Sequence, residues 1–290
     1  MKVGFVGTGP WAQTLRNAFV RAGAEVVAYD RSRPEPRPDF GQRRHWPDMM
    51  DDPEIDAIVA ATPPEVTLAV AKLATNARKP VFLSKPFMIE EPLTIRAPLF
   101  VDYVRLHSSA YQDVKERCRC LGIREVRVRL YGEGPDRTFP GLFDYGPHAV
   151  AFLCDLLGVH APFTLSNHPL AFDTFRRDLP TRELHLATGY WDGIPFDFIV
   201  GNGARSVQRE LIVMHDNGSR SGYVEEGASV FSLHEDRTIM MLNANDALDR
   251  QVDAFLDAVR RQILDPIWVN ISAVATRLLS KIRADAGLDR

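Results

Sequence analysis

Three groups of residues have types and spacings that can do chemistry. The first is Gly7-Thr8-Gly9-Pro10-Trp11-Ala12, with Asp30 at the distance of about 20 residues that a dinucleotide-binding unit uses. Gly7 permits a tight turn. Gly9, lacking a Cβ, lets a pyrophosphate reach the backbone, and Ala12 is small enough for a helix to pack on a strand. A helix starting here offers free N–H groups and a positive dipole end to phosphate. Asp30 can accept hydrogen bonds from an adenosine ribose. Its neighbour Arg31 forms a basic cluster with Arg33, Arg43 and Arg44; the cluster reads either as a solvated face or as a contact to a phosphate. The second group is Thr62-Pro63-Pro64 together with Ser84-Lys85-Pro86. Each follows a short apolar run, so each ends a strand. A lysine at a strand end can hydrogen-bond a substrate oxygen and stabilise a developing alkoxide; a surface lysine in a turn before proline fits the same spacing. The third group is Asp144-Tyr145-Gly146-Pro147-His148. Pro147 reads as the first residue of a helix over 147–157, which puts His148 in the first turn, where the dipole keeps the imidazole neutral and able to accept a proton. Asp144 is close enough in sequence to share its pocket. A capping aspartate and a satisfied surface histidine fit the same five residues.

The elements that must position these groups follow from the hydrophobic pattern. Strands at 3–6, 25–29, 56–61, 80–83 and 99–106 alternate with helical stretches at 13–22, 65–76 and 110–118. This alternation demands an α/β fold: an N-terminal, doubly wound parallel Rossmann sheet over residues 1–120, with ligands bound at the carboxyl ends of its strands. Residues 86–105 are short of a full helix, so one Rossmann helix reduces to a turn around Pro92 and Pro98. Arg105 and His107 follow the last strand and, with Tyr145, are expected to line the substrate side. After residue 121 the pattern changes to runs with one wet face: 124–131, 183–190, 196–201, 206–215, 229–234 and 238–242. These predict a C-terminal α+β domain, 121–290, built on an open, mostly antiparallel sheet of about five strands, with helices at 147–157, 247–264 and 273–282. Three helices cover one face of such a sheet. An uncovered apolar face is rarely left in water, so a homo-oligomer, dimer or tetramer, joined through that face is expected. Screening of the face by Arg182, Gln208 and Arg209 is the alternative.

Composition narrows the class. The 290 residues carry 35 basic and 38 acidic side chains, a net charge of −3, so no nucleic-acid partner is implied. No run is long enough for a membrane span. Three cysteines, Cys118, Cys120 and Cys154, suit neither a disulfide framework nor a zinc site; no metal is expected, and a reducing, cytoplasmic setting is the simplest reading.

These motifs together resemble the Gfo/Idh/MocA oxidoreductase family. The likeness rests on Val3-Gly4-Phe5-Val6-Gly7-Thr8-Gly9, on Asp56-Ala57-Ile58-Val59-Ala60-Ala61-Thr62-Pro63, on Lys85-Pro86, and on Asp144-x-Gly146-x-His148. The resemblance implies a nicotinamide cofactor and hydride transfer at a carbon bearing a hydroxyl or amine. It implies cofactor contacts from Gly7, Thr8, Gly9, Pro10, Trp11, Ala12, Asp30, Arg31, Thr62, Pro63, Lys85 and Pro86, and a catalytic trio of Lys85, Asp144 and His148. Asp30 favours NAD(H), with NADP(H) as the alternative. The substrate is a small molecule. The chain departs from the family at Ser84, where a Glu is usual, at Thr67, where a His is common, and at Ala151, where an Asp is common. A nucleotide-binding sensor without catalysis, and an enzyme using bound NAD for a net non-redox reaction, are the competing readings.

Overall fold

The computed structural model describes residues 1–32, 35–91, 93–133, 139–169, 182–227, 229–235, 237–243 and 245–288. Arg33 and Pro92 lie outside these. The chain divides into two compact units, Met1–Val104 with Leu248–Ala273, and Arg105–Ala247 with Val274–Arg290. The division is not a single cut near residue 120: one C-terminal segment belongs with the N-terminal unit.

The first unit is built on β1 (Lys2–Val6), β2 (Glu25–Asp30), β3 (Gln42–Arg43), β4 (Ala57–Ala60), β5 (Val81–Leu83) and β6 (Leu99–Val101). All pairings are parallel and the order is β3-β2-β1-β4-β5-β6. That is the doubly wound Rossmann order, with its crevice where the order reverses, between β1 and β4. The central strands read as unbroken apolar runs because helices cover both faces; every residue of β4, β5 and β6 is buried. Helix α1 (Pro10–Arg21) buries Ala12, Leu15, Ala18 and Phe19, and α2 (Trp46–Asp51) buries Met49 and Met50. Helix α3 (Pro64–Asn76) buries Thr67, Val70, Ala71, Ala74 and Thr75. The expected strand over 99–106 stops at Val101, and residues 104–107 form a 3-10 turn.

The described residues between β5 and β6 form no helix, as the spacing predicts. The apolar face this leaves is covered from far along the chain. Leu248, Val252, Phe255 and Leu256 join Phe5, Phe19, Phe82 and Phe100 in one core. Phe255 sits edge-on to Phe82 at 5.6 Å and to Phe100 at 5.5 Å.

The second unit begins with α4 (Ser109–Leu121), β7 (Glu125–Glu133) and α5 (Leu142–Leu157). Its remaining strands are β8 (Phe163–Pro169), β9 (Leu184–Trp191), β10 (Ile194–Gly201), β11 (Gly203–Met214), β12 (Arg220–Glu226), β13 (Ser229–His234) and β14 (Arg237–Asn243). They form a mixed, mostly antiparallel sheet in the order β14-β13-β12-β11-β7-β10-β9-β8, with β7 and β10 parallel. Among the described residues eight strands stand where six runs were read; β8 and β12 are the two that periodicity passed over. The chain closes with α6 (Asn245–Arg261), the helix carrying Phe255, and α7 (Ile267–Asp285). α4 and α5 pack on one face of the sheet. On that side Val126, Val128, Leu130, Phe196, Phe198, Leu211 and Val213 are buried.

Two expectations are corrected. Helix α5 starts at Leu142, so Pro147 lies inside it and His148 is in its second turn. Residues 142–154 are all buried; packing imposes helix ahead of the proline, leaving only the Phe143 carbonyl without its usual donor. The first-turn dipole argument therefore applies to Asp144. Arg209 also does not screen the open face. It pairs across to Leu130, whose side chain is buried under the helices, so it points to the helix-covered side. Gln208 does lie on the open side, where Tyr131 Oη donates to it and its Nε2 donates to Glu210 at 2.8 Å. Arg182 donates to the Asn202 carbonyl.

Candidate active site

The residues expected to hold the cofactor belong to the first unit. Gly7 has φ +89°, and a Cβ there would lie 2.3 Å from the Ala61 carbonyl oxygen. Only glycine fits, because β1 and β4 converge at this turn. Gly9 caps α1 in an extended conformation, and a Cβ on it would meet nothing within 4 Å. Open space thus lies in front of free helix N–H groups, which is what a pyrophosphate requires. Pro10 takes the first helical position and Ala12 is fully buried. Trp11 is 41 % exposed, with its indole N–H donated to Asp102 at 2.8 Å.

Asp30 ends β2. One of its oxygens accepts from the Arg31 amide at 2.7 Å, and the other from the Trp46 amide at 3.0 Å. Carboxylate oxygens have lone pairs left for further donors. Arg31 turns to Glu35, donating to its carbonyl at 3.0 Å and standing 3.4 Å from its carboxylate. Sequence reasoning passed over Arg37. Its guanidinium donates to the Thr8 carbonyl at 2.8 Å, binds Asp39 and Gln13, and stacks over Phe40 at 4.7 Å. It is one of several arginines in a loop with no periodicity, so only the tertiary structure singles it out.

Thr62 and Pro63 lead from β4 into α3. The Thr67 hydroxyl bonds the Thr62 hydroxyl at 2.9 Å and donates to the Thr62 and Pro63 carbonyls at 3.1 Å. Where the resembled family often has a histidine, this chain has a buried clamp on the strand-end turn. Lys85 and Pro86 follow β5, at the same end of the sheet as the glycine turn, and are joined by a cis peptide bond. Ser84 is buried.

Two of the expected catalytic residues belong to the second unit. Asp144 and His148 lie one helical turn apart on α5, each only 4 % exposed, so their side chains share one face of the helix. Gly146 between them packs closely on α7: a Cβ would come within 2.7 Å of the Leu279 side chain, which would have to shift. Ala151, where an acid is common, is buried in the same helix.

Tyr145 sits beside a charged cluster. Arg105 makes a two-pronged ion pair with Glu225, Nε to Oε1 at 2.7 Å and Nη2 to Oε2 at 3.1 Å. Tyr223 also donates to Glu225. Burial alone would raise the Glu225 carboxyl, but Arg105 holds it below its ordinary value. Burial works against the Arg105 charge too, and Glu225 more than reverses that. Burial, then Glu225, pushes the Tyr223 phenol well up, so it stays protonated. Arg209 completes the group, 3.6 Å from Glu225 and 6.0 Å from the centre of the Tyr145 ring. Arg105 and Tyr145 are thereby brought together. His107 keeps other company: its charged neighbours are Asp155 and Lys115, which bind each other at 2.8 Å. Burial lowers the His107 pKa to about 4, so the ring is neutral near pH 7. Glu225, Tyr223 and Arg209 were not singled out in the sequence; a glutamate at an inward position of a strand is the signal that finds them.

A family model described as an oxidoreductase family with an NAD-binding Rossmann fold, Gfo/Idh/MocA, matches residues 1–95. Residues 1–95 thus match the Rossmann domain of the Gfo/Idh/MocA oxidoreductases. Beyond residue 95 the likeness is one of fold. No curated protein matches the chain. A 3-ketoreductase from Actinomadura kijaniata, solved with TDP-benzene and NADP, superposes with a TM-score of 0.78 at 17% identity, over 98% of this chain and 97% of its own. Scyllo-inositol dehydrogenase from Lactobacillus casei gives 0.76 at 14%, over 98% and 95%. Biliverdin reductase from Synechocystis sp. PCC 6803, with biliverdin and NADP+, gives 0.72 at 17%, over 97% and 98%. The fold is therefore shared along the chain's length with known dehydrogenases and reductases.

Proposed function

We propose that the chain is an NAD(P)-dependent oxidoreductase that moves hydride between nicotinamide and a small hydroxy, carbonyl or imine substrate. The observation that carries this reading is the pair Asp144 and His148, one turn apart and almost wholly buried on α5, in a chain whose glycine turn fits a dinucleotide. Bound nicotinamide accepts or supplies the hydride. The protein's own residues handle the proton and the oxygen. In the oxidative direction His148 takes the hydroxyl proton as general base. The Lys85 ammonium donates a hydrogen bond to the same oxygen as negative charge grows on it. Asp144 orients His148 or the substrate. In reduction His148 gives the proton back.

NAD(H) is the preferred cofactor in this reading. Asp30 stands at the ribose end of the turn, where a carboxylate accepts from a hydroxyl and repels a 2′-phosphate, and Arg31 is engaged by Glu35. Titration with NADH and NADPH tests this: NADH binds more tightly, and a tenfold preference for NADPH, about 1.4 kcal/mol, overturns it. Lys85→Ala and His148→Ala each keep NADH affinity and lose turnover by ~10²–10⁴-fold, the worth of a positioned acid or base. Near-normal kcat in either variant would sink the mechanism. A non-catalytic sensor would show cofactor binding without turnover in the parent protein as well.

A further inference from the structure

The cluster around Glu225 holds more positive charge than it can neutralise. Arg105 occupies both oxygens of Glu225, and Tyr223 donates to one of them. Arg209 reaches this already engaged carboxylate only at 3.6 Å, beyond hydrogen-bonding distance. Among the described residues no other carboxylate lies within ion-pair distance of Arg209. Two guanidiniums thus share one carboxylate, and Tyr223, kept protonated, contributes no charge. The side chains are 12 % exposed at Arg105, 13 % at Glu225 and 32 % at Arg209. Water screens the Arg105–Glu225 pair least, and it reaches Arg209 more readily. The Arg209 Nε is buried and has no hydrogen-bond partner among the described residues.

The position of this surplus matters. Arg209 stands over the ring of Tyr145, and Tyr145 is next in the chain to Asp144, in the same turn of α5. Its fork of N–H donors suits a planar or tetrahedral anion.

We propose that the substrate carries an anionic oxygen group, a carboxylate or a phosphate, and that Arg209 receives it, with the Arg105–Glu225–Tyr223 assembly holding Arg209 in place. The proposal rests on the reading that the Asp144 and His148 face of α5 meets the substrate. It makes Arg209 a specificity-determining residue and neutral polyols poor substrates.

The test uses the full chain, with and without NADH, at constant ionic strength. Calorimetric titrations compare D-gluconate and D-glucose 6-phosphate with D-glucose. The parent protein should bind at least one charged probe about tenfold or more tightly than glucose, the scale of one hydrogen bond to a charged group. Which charged probe wins separates carboxylate from phosphate. Arg209→Gln should abolish the advantage and Arg209→Lys should keep part of it, with circular dichroism unchanged in both. Equal binding of glucose, no binding of either charged probe, or an unaltered preference in Arg209→Gln overturns the proposal. Absence of NADH binding overturns the oxidoreductase reading instead, and the titrations without cofactor still decide the role of Arg209.

Discussion

At the scale of single residues, burial is the first influence on the ionisable groups inside the second unit. His107 illustrates the consequence. Burial lowers its pKa to about 4, whereas an unfolded histidine titrates near 6.5. Above about pH 6.5 both states are neutral, and the group has no effect. As pH falls from there towards 4, the unfolded chain binds a proton that the folded chain refuses, so stability drops. The full loss is about 3 kcal/mol at most. Denaturant titrations between pH 7 and pH 4 should show this slope, and His107→Gln should flatten it. An unchanged slope in the variant would assign the acid sensitivity to other groups. Glu225 behaves in the opposite sense: held below its ordinary value by Arg105, it adds stability that is lost only in more acidic solution.

At the scale of elements, the unusual feature is a helix borrowed from the end of the chain. The link between β5 and β6 is too short to cover the sheet face bearing Phe82 and Phe100. Helix α6 lies there instead, with Phe255 fully buried among three phenylalanines. Phe255→Ala removes a large ring from a close-packed site and should cost about 3–5 kcal/mol. Thermal melts and proteolysis check this, and a loss under about 1 kcal/mol would mean that α6 is only loosely seated. Helix α5 shows the same priority of packing over local signals. A proline usually marks a helix start, yet five residues ahead of Pro147 are helical because they fill the space beneath the sheet.

At the scale of the whole molecule, no helix among the described residues covers one sheet face of the second unit. It carries an ionic band, in which Arg127 meets Glu125 at 2.6 Å and Asp197 at 3.7 Å and Arg129 also binds Asp197. Beside the band stand Leu186, Ile199, Ile212, Val224 and Phe231, only partly buried, and Tyr190, 58 % exposed. Two-fold pairing of such faces gives a closed dimer with ion pairs at its centre. Light scattering at micromolar concentration should give about twice the 32.6 kDa chain mass, and Ile212→Glu should return the monomer. A mass of one chain that does not change on concentration excludes the pairing.

The Rossmann sheet, its glycine turn, Asp30, the strand-end Lys85 and the Asp144–His148 pair were all legible in the sequence. Each depends on local rules: a glycine where the backbone must turn, apolar runs where a strand is covered twice, and a four-residue spacing that puts two side chains on one helix face. What remained hidden depends on contacts between residues distant in the chain. β12 was missed because Ser221 and Glu225 occupy its inward positions, where alternation leads one to expect apolar residues. Glu225 is tolerable there only because Arg105, 120 residues away in sequence, neutralises it. The start of α5 was misplaced because the Gly146 contact with Leu279 and the burial of residues 142–146 outweigh the proline signal. The assignment of α6 to the first unit follows from an uncovered aromatic face, and amphipathicity says only that a helix needs a face to cover. The sequence by itself determined most of the elements and the residue types at their ends, because those are set within a turn or two of chain. Only the tertiary structure decided which distant side chains share a pocket, because burial and charge compensation are properties of the packed molecule.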